Sequence, residues 1–133
     1  MREHEKDLRI AAVTFQSENG MLVTDAAGVI LRVNSAFSRM TGYTSQEVVG
    51  RTPAILSSGC QDALFYERMW KAVRDKGFWF GEIWNKRKNG QVYAELLTIT
   101  AVYTSEGSVS NYVGDFTEIP QQEEAAAGIY RLA

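Results

Sequence analysis

The feature that most constrains the fold is a pair of long stretches joined by one short turn. The first stretch runs from Gly77 to about Lys86, and the second runs from Gln91 to Tyr103. Both alternate large side chains with polar ones, which is typical of β-strands. The turn between them, Lys88-Asn89-Gly90, contains the Asn-Gly pair that hairpins favour. The sequence therefore predicts a long antiparallel hairpin, which we expect to form one wall of any ligand site.

The length of this turn decides which hairpin side chains share a face. A two-residue Asn89-Gly90 turn would place Asn85 and Glu95 on opposite faces, because strand side chains alternate. A three-residue turn with a left-handed Gly90 and a bulge places them on the same face. We prefer the three-residue turn because it also groups apolar residues. The inner face then comprises Trp79, Gly81, Ile83, Asn85, Tyr93, Glu95, Leu97 and Ile99.

This register predicts a polar pair at the core. Asn85 and Glu95 would both point inward beside Trp79. A buried amide and a buried carboxylate need hydrogen-bond partners. A ligand, a helix backbone or a water molecule could supply them.

The outer face of the hairpin would carry the large apolar side chains Phe80, Trp84 and Leu96. Such a patch needs cover in a small domain. Helical spacing of Leu8, Ala11, Ala12 and Phe15 predicts an N-terminal flanking helix over residues 1–17. Either this helix or the second subunit of a homodimer is expected to cover the outer face.

The rest of the chain predicts shorter elements between and beyond these. We expect strands at 21–25, 29–34 and 109–116, short helices at 35–40 and 45–49, and a longer helix at 62–76. Five antiparallel strands, with helices inserted after the second, predict an α+β fold with the helices on one face of the sheet. The domain is expected to span 18–119, and residues 120–133 to begin a C-terminal linker helix.

Composition argues against several functional classes. The chain has 133 residues, a net charge of −2, one cysteine (Cys60) and one histidine (His4). These counts argue against a Cys-rich zinc site, histidine-based catalysis and bulk attraction to nucleic acid. No apolar run approaches the roughly 20 residues of a membrane helix, and no signal peptide is recognised. We therefore expect a non-enzymatic, cytoplasmic domain without membrane contact.

The order of these segments resembles a PAS domain of the sensory-box type. The matching segments are 21–25 with 28–30, Val33 to Phe37, Thr41 to Gly50, Phe65 to Trp70, Gly81 to Gly90, and Asn111 to Gly114. The resemblance implies a sensory and dimerisation module; such modules hold a small ligand or cofactor between sheet and helices, or none. The residues expected to contact the ligand are Trp70, Trp79, Ile83, Asn85, Glu95 and Leu97.

The resemblance also suggests an effector. The hairpin is similar to those of PAS domains attached to cyclic-di-GMP cyclases and phosphodiesterases, and Arg131-Leu132-Ala133 resembles the segment ahead of a diguanylate cyclase. The chain is therefore expected to be a fragment of a larger bacterial signalling protein with a C-terminal effector. A histidine kinase is the alternative effector. Glu118-Ile119-Pro120 stands where PAS domains often have Asp-Ile-Thr.

The sequence does not identify a cofactor. Three cofactors of similar PAS domains can be compared with the residues present. A light-oxygen-voltage (LOV) photoadduct is not expected, because Pro53 stands where its cysteine should be and Phe116 where its glutamine should be. Haem is not expected, because the helix at 62–76 contains no histidine. FAD remains possible. The positions similar to those of flavin-binding redox sensors are 55–59, Trp70, Trp79, Asn85 and Glu95.

Two further polar groups have simpler interpretations. Lys86-Arg87-Lys88 is expected to be a solvated hairpin end rather than a phosphate site. Asp25 and Asn34 are expected to serve a turn and a strand end.

Overall fold

The computed structural model describes residues 17–120. The predicted flanking helix up to residue 16 and the linker helix from residue 121 lie outside the described residues. The strands are β1 (Gly20–Asp25), β2 (Ile30–Val33), β3 (Phe78–Lys86), β4 (Val92–Tyr103) and β5 (Val109–Glu118). The helices are α1 (Ser35–Thr41), α2 (Ser45–Val48) and α3 (Ala63–Lys76), with a 3₁₀ turn at Pro53–Leu56.

The five strands form one antiparallel sheet in the order β2-β1-β5-β4-β3. The helices described within residues 17–120 lie between β2 and β3 in the chain and pack against one face of this sheet. The predicted α+β architecture is confirmed. The segment at 52–59, which the sequence leaves without regular structure, contains the 3₁₀ turn.

The three-residue turn and its register are confirmed. Ile83 pairs with Glu95, and Asn85 pairs with Tyr93, so that all four share a face. The Gly90 N–H donates to the Arg87 carbonyl at 2.9 Å, and Gly90 has φ +92°, the left-handed conformation that the bulge requires.

Side-chain caps fix the helix ends. The Asp62 carboxylate accepts from the Phe65 N–H at 2.9 Å at the start of α3. At the other end Gly77, with φ +87°, donates to the Val73 carbonyl at 2.8 Å. These two residues lie at the ends of the helix that the sequence predicts at 62–76.

The core consists of two apolar clusters. The first contains Leu22, Ile30, Phe37, Val48, Leu56 and Phe116. The second, beneath α3, contains Met69, Val73, Ile99 and Ala101. Leu97 packs against both clusters. No helix within residues 17–120 is long and apolar enough to cross a membrane.

Candidate ligand cavity

A cavity of about 460 Å³ lies between the sheet and the helices, beside both clusters. This volume is in the range of small-molecule sites. Its sheet side is formed by residues of β1, β3, β4 and β5, and its other side by the segment from Thr52 to Ser57 and by α3. Its walls are mainly apolar. The polar side chains in the lining are Thr24, Thr52, Ser57, Tyr66, Trp70, Asn85, Glu95 and Tyr112.

Five of the six predicted ligand contacts line this cavity, namely Trp70, Ile83, Asn85, Glu95 and Leu97. Trp79 does not belong to the lining. Its ring packs edge-on against Phe65, with 5.7 Å between centroids, and lies over Gly81. A Cβ at position 81 would come within 2.7 Å of that ring. The absence of a side chain at Gly81 therefore lets Trp79 fold along the strand into the second cluster.

Glu95 is the most unusual group in the cavity. Its residue is 1% exposed, and its Oε1 accepts no hydrogen bond from any described residue. Burial raises the pKa of its carboxyl from an ordinary 4.5 to about 7. The nearby Tyr93 hydroxyl and Asn85 amide favour the charged form and oppose this shift, although Oε1 lacks hydrogen-bond geometry with either. The carboxyl is therefore held in a site that does not satisfy it.

Tyr93 shares this environment. Its buried hydroxyl has no hydrogen-bond partner among the described residues. Burial, with the adjacent Glu95 charge, raises the pKa of Tyr93 well above its ordinary range. The hydroxyl therefore stays protonated and keeps an unused donor next to the cavity.

The basic hairpin end is more than a solvated tip. Arg87 donates to the Met40 carbonyl, forms an ion pair with Glu118, and lies 4.0 Å from the centroid of the Tyr93 ring. Lys88 pairs with Glu47 of α2, and its N–H donates to the Thr41 carbonyl at 2.8 Å. The prediction of a solvated end is therefore wrong for Arg87. Met40 and Glu118 lie 47 and 31 residues away in the chain, too far for a local pattern to reveal.

The segment before α3 closes the cavity along β3. Gln61 Oε1 accepts from the Trp84 N–H at 2.7 Å, and its Nε2 donates to the Trp84 carbonyl at 3.0 Å and the Tyr66 hydroxyl at 3.1 Å. Ser58 donates to the same carbonyl at 2.7 Å. Sequence reasoning did not find this arrangement, because it depends on a side chain that replaces a strand partner.

Where α3 meets β5, the cavity reaches the surface. Trp70 is 37% exposed and packs edge-on against Tyr112, with 5.3 Å between the ring centroids. Tyr66, Met69 and Trp70 are the residues of α3 that line the cavity. The helical spacing of apolar residues does not distinguish a core residue from a pocket wall.

Groups able to hold a metal or to form a thiol adduct do not mark this site. Residues 17–120 contain no cluster of three or more His, Cys, Asp or Glu side chains arranged for a metal ion. Cys60 is exposed and lies outside the cavity lining. The chemistry offered by the lining is therefore apolar packing with hydrogen bonding at one end.

Comparisons with known proteins agree with this architecture. The nitrogen fixation regulatory protein of Klebsiella oxytoca is 30% identical over 98 residues, covering 74% of this chain and 20% of that protein. A blue-light-activated histidine kinase of Rhizobium johnstonii is 28% identical over 130 residues, covering 92% of this chain and 38% of the kinase. The chain thus spans less than two-fifths of the length of either relative.

Solved structures show the same fold. The PAS domain of a protein from Colwellia psychrerythraea superimposes with a TM-score of 0.76 at 21% identity, covering 84% of this chain and 94% of that one. The sequence profile of the PAS domain family matches residues 18–119, which is the range that contains the whole sheet and the cavity. The chain therefore belongs to the PAS domain family of sensory modules.

Proposed function

We propose that this domain senses a small ligand or cofactor in the cavity and regulates an effector attached at its C-terminal end. The observation that carries the proposal is the cavity itself, with its apolar walls and its unsatisfied Glu95 carboxyl. Maintaining a desolvated acid costs folding free energy, and such a cost is typical of functional sites.

Strand β5 supplies a path from the cavity to the chain end. Tyr112, Gly114 and Phe116 line the cavity, and the same strand ends at Glu118, where Arg87 holds it. A ligand that moves the inner residues would act on this ion pair, and through it on residues 120–133. This position supports signal output through the proposed linker helix.

The test is native mass spectrometry of the purified domain, followed by denaturing analysis of what it releases. We expect a bound small molecule and a higher melting temperature for the loaded form. Filling the cavity by Gly114→Leu should lower occupancy, while Glu106→Gln, in the exposed β4–β5 turn, should not. A domain that never binds a small molecule, with the cavity open or filled, would contradict the proposal.

A cyclic-di-GMP cyclase or phosphodiesterase is our first choice of effector, because the hairpin and Arg131-Leu132-Ala133 resemble those of PAS domains joined to such enzymes. A histidine kinase is the second, supported by the similarity to the Rhizobium johnstonii kinase. Sequencing the gene beyond Ala133 separates them. Either effector fits a cytoplasmic domain with one unpaired cysteine.

A flavin redox sensor is the second candidate function. The amide of Asn85 and the carboxyl of Glu95 suit the polar edge of a flavin ring, which hydrogen-bonds through donors and acceptors. When bound, the flavin would supply electron transfer, while Asn85 would orient it. Absorption at the flavin bands after reconstitution with FAD is the test. Asn85→Leu should abolish this absorption, whereas Trp79→Phe, outside the lining, should keep it.

We also propose a homodimer through the outer face of the hairpin. Phe80 is 60% exposed and Leu96 is 40% exposed on that face. Sedimentation velocity should show a dimer that Phe80→Glu dissociates, while Glu106→Gln, in the distant β4–β5 turn, has no effect. A monomer at all concentrations would contradict this interface.

A further inference from the structure

The charge at the inner end of the cavity is unbalanced. Glu95 is the only charged residue among the described residues that line it. Its neighbour across β4 and β5 is another acid, Glu118. The cation at this end, Arg87, is already engaged by Glu118, the Met40 carbonyl and the Tyr93 ring. When Glu95 is ionised, these three charged groups therefore sum to one net negative charge.

A ligand that enters this end of the cavity meets a buried carboxylate oxygen that no described residue uses. Glu95 Oε1 is buried and free of hydrogen bonds, and the Asn85 carbonyl oxygen belongs to the same inner face. No Lys, Arg or His belongs to the described lining, so an anionic group would be buried beside a carboxylate without a counterion. A hydrogen-bond donor, in contrast, would satisfy the orphaned oxygen.

We propose that the buried part of the ligand carries a nitrogen donor, best an ammonium group on an apolar or aromatic body, which binds to Glu95. This inference rests on the proposed function and names the ligand class for the same cavity. The apolar walls hold the body, and Tyr66, Trp70 and Tyr112 offer ring edges and faces to an aromatic one.

A pH dependence follows from this assignment. An ammonium ligand pairs with ionised Glu95, and burial raises the pKa of Glu95 to about 7. The groups facing Glu95 are Tyr93, Asn85, Glu118 and Arg87. With the acid mostly protonated at pH 6 and mostly ionised at pH 8, affinity for the cation should rise about tenfold over that interval.

The experiment compares three probes of similar size and different charge on the cofactor-free domain: phenethylamine, 2-phenylethanol and 3-phenylpropanoate. Calorimetric titration at pH 8 should show phenethylamine binding at least tenfold more tightly than the carboxylate. Lowering the pH to 6 should weaken the binding of phenethylamine about tenfold. Glu95→Gln should abolish both effects, while Glu106→Gln, exposed in the β4–β5 turn, should preserve them.

Tighter binding of the alcohol or the carboxylate, an unchanged preference in Glu95→Gln, or no binding of any probe at millimolar concentration would overturn the inference. Circular dichroism verifies folding, and Glu95→Met replaces the glutamine variant if it unfolds. The proposed function fails separately, only if native mass spectrometry also finds no molecule in the cavity. A bound molecule lacking a nitrogen donor would uphold the sensor and overturn the ligand class.

Discussion

Two buried polar side chains in this domain differ in whether their hydrogen-bonding atoms have partners. Asn34 is 4% exposed, and its Oδ1 accepts from the Met21 and Phe37 N–H groups, each at 2.9 Å. Its Nδ2 donates to the Asn19 carbonyl at 2.8 Å. Glu95 is more deeply buried, yet one of its oxygens has no partner among the described residues.

The difference separates a structural polar group from a functional one. Asn34 ties the entry to β1, the end of β2 and the first turn of α1 together, so its burial stabilises the fold. Glu95 borders a cavity instead of backbone, so its burial costs stability in the absence of a ligand. Burial alone therefore does not identify a functional site, whereas Glu95 combines burial, an unpartnered oxygen and a position in the cavity wall.

Substitution of Asn34 should have the largest effect on the free energy of unfolding. Asn34→Ala would leave two buried N–H groups without an acceptor and one carbonyl without a donor. We expect a loss of about 4 kcal/mol in the free energy of unfolding, measured by urea denaturation. Asn19→Ala keeps the carbonyl that Asn34 uses and should cost far less. Equal losses in both variants would contradict the structural role.

Substitution of Glu95 should change the free energy of unfolding in the opposite direction. Its folded-state pKa is raised to about 7 from 4.5, so the unfolded chain ionises first as the pH rises. Stability from this group is complete below pH 4.5 and is lost by about pH 7. Glu95→Gln should therefore be more stable than the parent by about 3 kcal/mol at pH 8 and similar to it near pH 4.

Urea unfolding of the ligand-free protein across this pH range measures that difference. Glu106→Gln, exposed in the β4–β5 turn, serves as the matched control and should follow the parent. A parent protein that is the more stable of the two at pH 8 would show that Glu95 is satisfied in the folded state.

Substitution of Arg87 should have a smaller effect on the free energy of unfolding. Arg87 connects α1, β4 and β5, but it is not a hydrogen-bond partner of Asn34 or of the free Glu95 oxygen. Arg87→Met removes the ion pair, the bond to the Met40 carbonyl and the contact with the Tyr93 ring. We expect a loss of about 2 kcal/mol. A double-mutant cycle with Glu118→Gln should give a coupling of about 1 kcal/mol, because Glu118 is partly exposed. Additive losses would mean that the ion pair contributes nothing.

Tyr93 should show the smallest effect. Its hydroxyl forms no hydrogen bond with the described residues, so Tyr93→Phe removes only the weak effect of that hydroxyl on the charge of Glu95. We expect a change within about 0.5 kcal/mol in urea unfolding. A loss larger than that would place a hydrogen-bond partner at the hydroxyl and weaken the contrast with Asn34.

Local chemistry made much of the fold predictable. The Lys88-Asn89-Gly90 turn determined the register, and the register placed Asn85 and Glu95 on the inner face before any tertiary contact was known. The position of Trp79 was not predictable in the same way. Strand parity gives the side of the sheet, while the direction of the ring depends on Phe65 and on the space above Gly81.

The ion pair of Arg87 with Glu118 shows a second limit of prediction from the sequence. Its two residues come from the hairpin end and the last strand, and no periodicity relates them. The cavity was likewise inferred from resemblance, because packing gaps arise where elements distant in sequence meet. Sequence reasoning therefore predicted which side chains point inward better than what they contact.

Gln61 has a consequence for solubility. Strand β3 lies at an edge of the sheet, where free backbone groups invite pairing with another chain. The side chain of Gln61 engages both the N–H and the carbonyl of Trp84, the groups that an incoming strand would need. The amide of Gln61 thus makes the two backbone hydrogen bonds that a neighbouring strand would make, and it exposes no new strand edge. The edge of β3 is thereby covered against edge-to-edge pairing at Trp84.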